Sequence, residues 1–238
     1  METGRLITYD TSKYLCVGVT GHRDLILEDK NLITTKVKEL FAQIKSEHNS
    51  HIKLYSALAP GADIWVAECL DASDKLVVVK VLPDNIDIKY TFWGKELGDE
   101  PKKEDNENNL AYSKKLSDWQ SRKNKHEKLW NDCLILKQRP NIKVEDLTSK
   151  QNLDYDKESV RNHQYILLGE YLVKKCMYLI ALWDGVDGGG VGGTSDVVRM
   201  WQKGKGIIGN KVLTGKNKRV LYHLSCPREK NHFPINRF

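Results

Sequence analysis

The sequence predicts an α/β fold: a Rossmann-like parallel sheet of about five strands sandwiched by helices, carrying a charged, partly helical insertion. Three observations predict it. Short apolar runs rich in Val, Ile and Leu alternate with stretches of helical period from residue 14 to residue 83. The alternation stops at residue 84 and resumes at residue 160. The connections between apolar runs are long enough for crossover helices, as parallel strands require, and too long for tight hairpins. The 238 residues, 40% of them hydrophobic, suit one domain spanning 1–238 with a sizeable core.

The elements follow in order. Residues 14–20, YLCVGVT, read as a buried strand ended by Gly21. Leu32, Ile33, Val37, Leu40, Phe41 and Ile44 recur at helical spacing through residues 31–47. Residues 52–58 form a second strand, and Ala59-Pro60-Gly61 turns the chain. Asp63 then stands where a helix cap is expected, before a helix reaching about Leu70. Residues 76–82 form a third strand closed by Pro83.

Residues 84–158 carry 15 Lys or Arg and 16 Asp or Glu and read as an insertion. Within it, residues 108–136 predict a long helix with Leu110, Leu116, Trp119, Leu129 and Trp130 as sparse contacts. Its middle, QSRKNKHEK, has no apolar residue, so the helix is expected to project into solvent or dock on a partner. Residues 138–154 read as loop. An amphipathic helix over 160–176 leads to a fourth strand, 177–183. Thr194 opens a helix to about Gln202, and 219–226 is a fifth strand after a basic, glycine-bearing loop.

Composition narrows the function. No run of 18 apolar residues is present, so no membrane partner is expected. METGRLITYD lacks the apolar core of a secretory signal, and cytoplasmic location is the expectation. Five cysteines lie far apart with no CxxC pair, which predicts reduced thiols and neither a disulfide framework nor a metal site. Residues 199–238 hold ten Lys or Arg against one Glu, within a chain of net charge +6. Such a segment attracts phosphate, of a nucleotide or of nucleic acid, or is simply a solvated surface.

Three loops at strand ends carry the chemistry. WDGVDGGGVGGT, residues 183–194, follows a buried strand and opens a helix. Gly192, Gly193 and Thr194 read either as a loose crossover loop or, as their place between a buried strand and a helix favours, as a phosphate cradle whose N–H groups are backed by the helix dipole, without the Lys of a P-loop. Gly21-His22-Arg23 ends the first strand. Arg23 can fork onto a phosphate or pair with Asp24, and His22 can donate or stack. Pro60, Gly61 and Asp63 end the second strand, where Asp63 takes a ribose hydroxyl or, as the stronger expectation, caps the helix. Trp183 stacks on a base or packs in the core, beside Asp184. Tyr90, Phe92 and Trp93 wall the crevice or pack under the insertion. If the first and fourth strands are neighbours, these loops meet where strand order reverses.

VGVTGHRDL, SALAPGADIWVAE, VLP, EYLVKKCMYLIALWDG, GGTSDVV and the terminal CPR together resemble the SLOG superfamily, named for Smf/DprA and the LOG enzymes. The resemblance covers residues 12–83 and 160–228. It implies a Rossmann-like fold that binds nucleotide-derived ligands such as ADP-ribose or cyclic ADP-ribose in anti-phage signalling. LOG-type members are phosphoribohydrolases bearing PGGxGTxxE and a catalytic Arg on the preceding helix. Here the Glu position is Val197, Asp196 is one residue early, and the Arg position falls near Leu168. Arg161 and Glu170 lie elsewhere on that helix.

The resemblance therefore implies a sensor in anti-phage or stress signalling that binds a nucleotide-derived signal, with Asp196 beside the cradle and no catalytic residue or cofactor of its own. A homo-oligomer or an effector protein is the expected partner. The alternatives are a LOG-like hydrolase using Asp196, Asp184 or Glu170, and a DprA-like single-strand binder using the basic segment from Lys203 to Arg219. The latter lacks interleaved aromatics.

Overall fold

A computed structural model describes residues 14–92, 100–104, 108–148, 153–187, 190–207, 212–213 and 219–228. Trp93, Gly188, Gly189 and much of the basic segment between Lys203 and Arg219 lie outside the described residues.

The strands are β1 (Tyr14–Gly21), β2 (His51–Ser56), β3 (Lys75–Lys80), β4 (Ile142–Asp146), β5 (Tyr178–Trp183) and β6 (Val220–Ser225). They form one sheet in the order β4-β3-β2-β1-β5-β6, with every pairing parallel. The helices are α1 (Lys30–His48), α2 (Ala62–Ala67), α3 (Asp84–Asp87), α4 (Asn109–Leu136), α5 (Glu158–Lys175) and α6 (Thr194–Lys203), with a π turn at Ile88–Phe92. The chain is thus a Rossmann-like α/β protein.

Helices cover both faces, which is why the central strands read as continuous apolar runs. On one face Val17 and Leu54 join Val37, Phe41 and Ile44 of α1, Ile64 of α2, and Cys133 and Leu136 of α4 in a single cluster. On the other, Val77 and Leu179 pack with Leu172 and Val173 of α5 and with Val197, Met200 and Trp201 of α6. Each large apolar side chain so enclosed contributes about 1.5–3 kcal/mol relative to exposure. Leu32, grouped above with the apolar positions of α1, instead points outward at 51% exposure.

The insertion departs from the sequence expectation. Residues 138–154 are not all loop, because β4 pairs with β3 along its full length, from Leu76↔Ile142 to Lys80↔Asp146. The sheet therefore has six strands. β4 has one neighbour and only two half-buried positions, Ile142 and Glu145, so its apolar signal is weak. Nor does α4 simply project. Its second half packs Leu129, Trp130, Cys133 and Leu136 against the main core.

Strand order places β1 beside β5, with Gly21 in register with Leu182. From β1 the chain runs outward to β2. From β5 it runs the other way, to β6. This reversal opens a crevice past the carboxyl ends of β1 and β5, the binding place typical of such sheets.

Candidate functional site

A cleft of about 630 Å³ occupies that switch point. Its size lies within the roughly 300–1,000 Å³ usual for small-molecule sites. Of the twelve residues expected from sequence, ten line it: Gly21, His22, Arg23, Pro60, Asp63, Trp183, Asp184, Gly192, Gly193 and Thr194. Gly61 and Asp196 do not.

Backbone packing explains how the loops converge. A side chain at Gly21 would strike Ala62 Cβ and approach the Leu182 carbonyl to 2.6 Å, so β1, α2 and β5 close on one another there. His22 is tied on both sides: its N–H donates to the Leu182 carbonyl, and its own carbonyl accepts the Ala62 N–H, both at 3.0 Å. Gly61 has φ of 76°, and a Cβ would lie 2.5 Å from the His22 carbonyl oxygen. Its task is to let two loops touch, one layer behind the cleft wall.

Asp63 does not cap α2, which has no side-chain cap. Its Oδ2 turns back to accept the Ser56 hydroxyl at 3.1 Å and the Ala57 N–H at 3.0 Å. The Ser56 hydroxyl oxygen in turn accepts the Leu58 N–H at 2.9 Å. The loop is strained enough to need these ties, since Leu58 is fully buried with φ of 55°. Burial pushes the Asp63 carboxyl up to about 6, against the pull of Ser56, of the Ala59 and Ala57 N–H groups and of the Arg23 charge.

His22 and Asp184 meet across the switch point. A protonated Nε2 donates to Asp184 Oδ1 at 3.0 Å, and an unprotonated Nε2 accepts the Asp184 N–H at 3.3 Å. Burial opposes the charge of Asp184, but the Val186 N–H and His22 outweigh it and hold the carboxyl below its usual range. Trp183 is half-buried on the cleft wall, tilted against His223 with ring centres 5.5 Å apart.

Arg23 does not pair with Asp24. Arg228, two residues past Cys226, takes Asp24 instead through Nε at 3.0 and 3.1 Å. The Arg23 guanidinium lies over Tyr165 at 5.5 Å, makes one long contact to the Tyr90 carbonyl at 3.5 Å, and has no ion pair among the described residues. An exposed guanidinium held against an aromatic face is pre-organised for an anion.

The glycine loop approaches helix α5 as well as the cleft. Gly192 has φ of 82°, and a Cβ there would lie 2.8 Å from Tyr165 Cβ and 2.9 Å from the Asn162 carbonyl. Its N–H donates to Asp196 Oδ2 at 2.8 Å, and the Gly193 N–H donates to the Gly190 carbonyl at 2.9 Å. Two of the expected phosphate donors are thus occupied. The first-turn N–H groups of Thr194 and Ser195, which have no intrahelical acceptor, remain at the cleft. Asp196 is a tether, paired also with Arg199 at 2.9 Å.

Residues that could replace a LOG-type acid and Arg are elsewhere. Arg161 is buried, donates to the Tyr155 and Asp156 carbonyls at 2.7 and 2.8 Å, and stacks on Tyr90 at 3.7 Å. Glu170 faces Lys174 at 3.6 Å. Neither lines the cleft, whereas the apolar Leu168 does.

Sequence reading missed Asn162, Tyr165, Ser195, Lys125, His126 and Arg228, all on the cleft wall. Ser195 lies in GGTSDVV, Lys125 and His126 in QSRKNKHEK and Arg228 in CPR, but none of them stands out there as a site residue. Tyr90 lines the cleft as one of the two expected alternatives. Fold and cleft together define a Rossmann-like protein with a ligand-sized switch-point site. Comparison with known proteins finds no family model, no curated protein and no solved structure that matches the chain. Among the described residues no helix is long and apolar enough to cross a membrane, and no group of three acidic, His or Cys side chains could hold a metal ion.

Proposed function

We propose that the chain binds a nucleotide-derived small molecule in the switch-point cleft and acts as a sensor of it, without chemistry of its own. One observation carries this reading: Arg23, free of any ion pair among the described residues, shares a cleft with the open first turn of α6 and with Asp63, Asp87 and Asp184. Cation and N–H groups suit phosphate, carboxylates suit ribose hydroxyls, and Trp183 and Tyr165 offer faces for a base. A sugar phosphate answers all three. The resemblance to SLOG proteins points to ADP-ribose or cyclic ADP-ribose species and to anti-phage or stress signalling in the cytoplasm.

The acids favour binding over hydrolysis. Asp63 and Asp196 are each committed to backbone N–H groups, and Asp184 holds His22 and Val186. A general acid or base needs a free oxygen aimed at substrate. Thermal shift against NAD, ADP-ribose, cyclic ADP-ribose isomers and cyclic oligonucleotides tests the reading. A folded sample that shifts with none of them at millimolar concentration would sink it, and Arg23→Ala should erase any real shift.

A further inference from the structure

Helix α4 belongs to the insertion, yet it reaches the cleft. Leu129 and Trp130 pack against the main core, while Cys133 and Leu136 are buried in it. Leu129 also touches the cleft, as do Lys125 and His126 one turn earlier. His126 and Leu129 share a helix face at spacing i,i+3, so seating Leu129 aims His126 inward. His126 Nδ1 is shut away from solvent with no hydrogen-bond partner. An enclosed polar atom without a partner is unusual and calls for one.

The two helical layers thus give the cleft two separate stations. One is the Thr194 and Ser195 N–H pair at the start of α6, beside Arg23 and α5. The other is Lys125 and His126 on α4, in the layer that holds α1 and α2. A nucleoside monophosphate has one phosphate and can satisfy one station. A ligand with two phosphates offers one to each.

We propose that α4 is the specificity wall of the cleft, with Lys125 and His126 holding the second phosphate of a pyrophosphate-linked nucleotide. This rests on the nucleotide-binding reading above. Lys125 supplies a point charge, and the ring of His126, which lines the cleft, supplies an N–H. The insertion is then a part of ligand recognition, whatever else it contacts.

Calorimetric titration of the full chain with ADP-ribose and with AMP tests it. Wild type should bind ADP-ribose at least about ten-fold more tightly than AMP, the worth of a charge-assisted contact. Lys125→Ala/His126→Ala should bring the two affinities within roughly three-fold while leaving AMP within about two-fold of wild type. An unchanged melting temperature shows that the variant folds, and Lys125→Gln alone should give a partial loss of the preference. A double variant that keeps the full preference, or a wild type that binds both ligands equally, overturns the role of α4 while nucleotide binding stands. Binding of neither ligand to wild type overturns the role of α4, while the nucleotide reading falls only if the full thermal-shift panel is also silent.

Discussion

His22 Nε2 lies 3.0 Å from Asp184 Oδ1, joining the end of β1 to the end of β5 with both side chains nearly enclosed. The pair closes the floor of the switch point. A contact of this kind contributes about 1 kcal/mol net, and more is lost when one member is left without its partner.

Asp184→Ala should therefore lower stability near neutral pH by roughly 1–3 kcal/mol. The sign with pH follows from the depressed carboxyl. Its stabilisation is present above the unfolded value of 3.8 and is lost as pH falls through the lower folded value. Urea midpoints at pH 7 and pH 3 should show the variant's deficit shrinking in acid.

Asp63 titrates in the opposite sense. Its folded carboxyl sits at about 6 against an ordinary 3.8, so its stabilisation is complete below 3.8 and lost as pH rises through about 6. Asp63→Asn keeps an acceptor for the Ala57 N–H and removes the titration. Relative to wild type it should gain roughly 2–2.5 kcal/mol between pH 4 and pH 7.5, read from denaturant midpoints.

Two glycines of one loop should behave differently. Gly192→Ala meets a φ of 82° and two contacts under 3.0 Å, and should cost roughly 1–3 kcal/mol. Gly190 has nothing within 4 Å of a Cβ. Gly190→Ala should change the melting temperature hardly at all, and equal losses at both sites would refute the packing of Gly192 on α5.

The two ends of α4 are also separable. Leu136 is 6% exposed in the main core and Leu110 is 78% exposed. Leu136→Ala should cost about 2–5 kcal/mol, whereas Leu110→Ala should stay within about 0.5 kcal/mol. Chemical denaturation of both variants checks this, and a neutral Leu136→Ala would mean that α4 is an appended arm.

Much of this was legible in the chain. β1, β2, β3 and β5 announce themselves because burial on both faces leaves largely apolar runs, and β6, an edge strand, because Val220, Leu221, Tyr222 and Leu224 keep it apolar though only half-buried. The adjacency of β1 and β5 stood only as a condition in the sequence, because parallel strands can be ordered in more than one way, and the pairing of Gly21 with Leu182 supplies it. β4 was hidden because an edge strand of sequence IKVED is half charged and Val144 faces solvent at 56% exposure. Asp63 was misread as a cap because its true partners, Ser56 and Ala57, precede it across a turn, and local spacing cannot tell the two arrangements apart. Asp196 was expected beside the cradle, but it accepts the Gly192 N–H and pairs with Arg199. Its carboxylate serves the loop, and only the fold shows that it turns from the cleft. Lys125 and His126 sit in the most polar stretch of α4, where no periodicity separates a cleft wall from an ordinary wet surface.

Trp183 gives the molecule an optical gauge. The chain has six tryptophans, and of those described only Trp183 lines the cleft, half-buried beside His223. Its emission will respond when something displaces water from its ring, while Trp65 and Trp201 sit in the interior as steady background. Occupancy can then be followed by fluorescence in unlabelled protein, with Trp183→Phe as the blank.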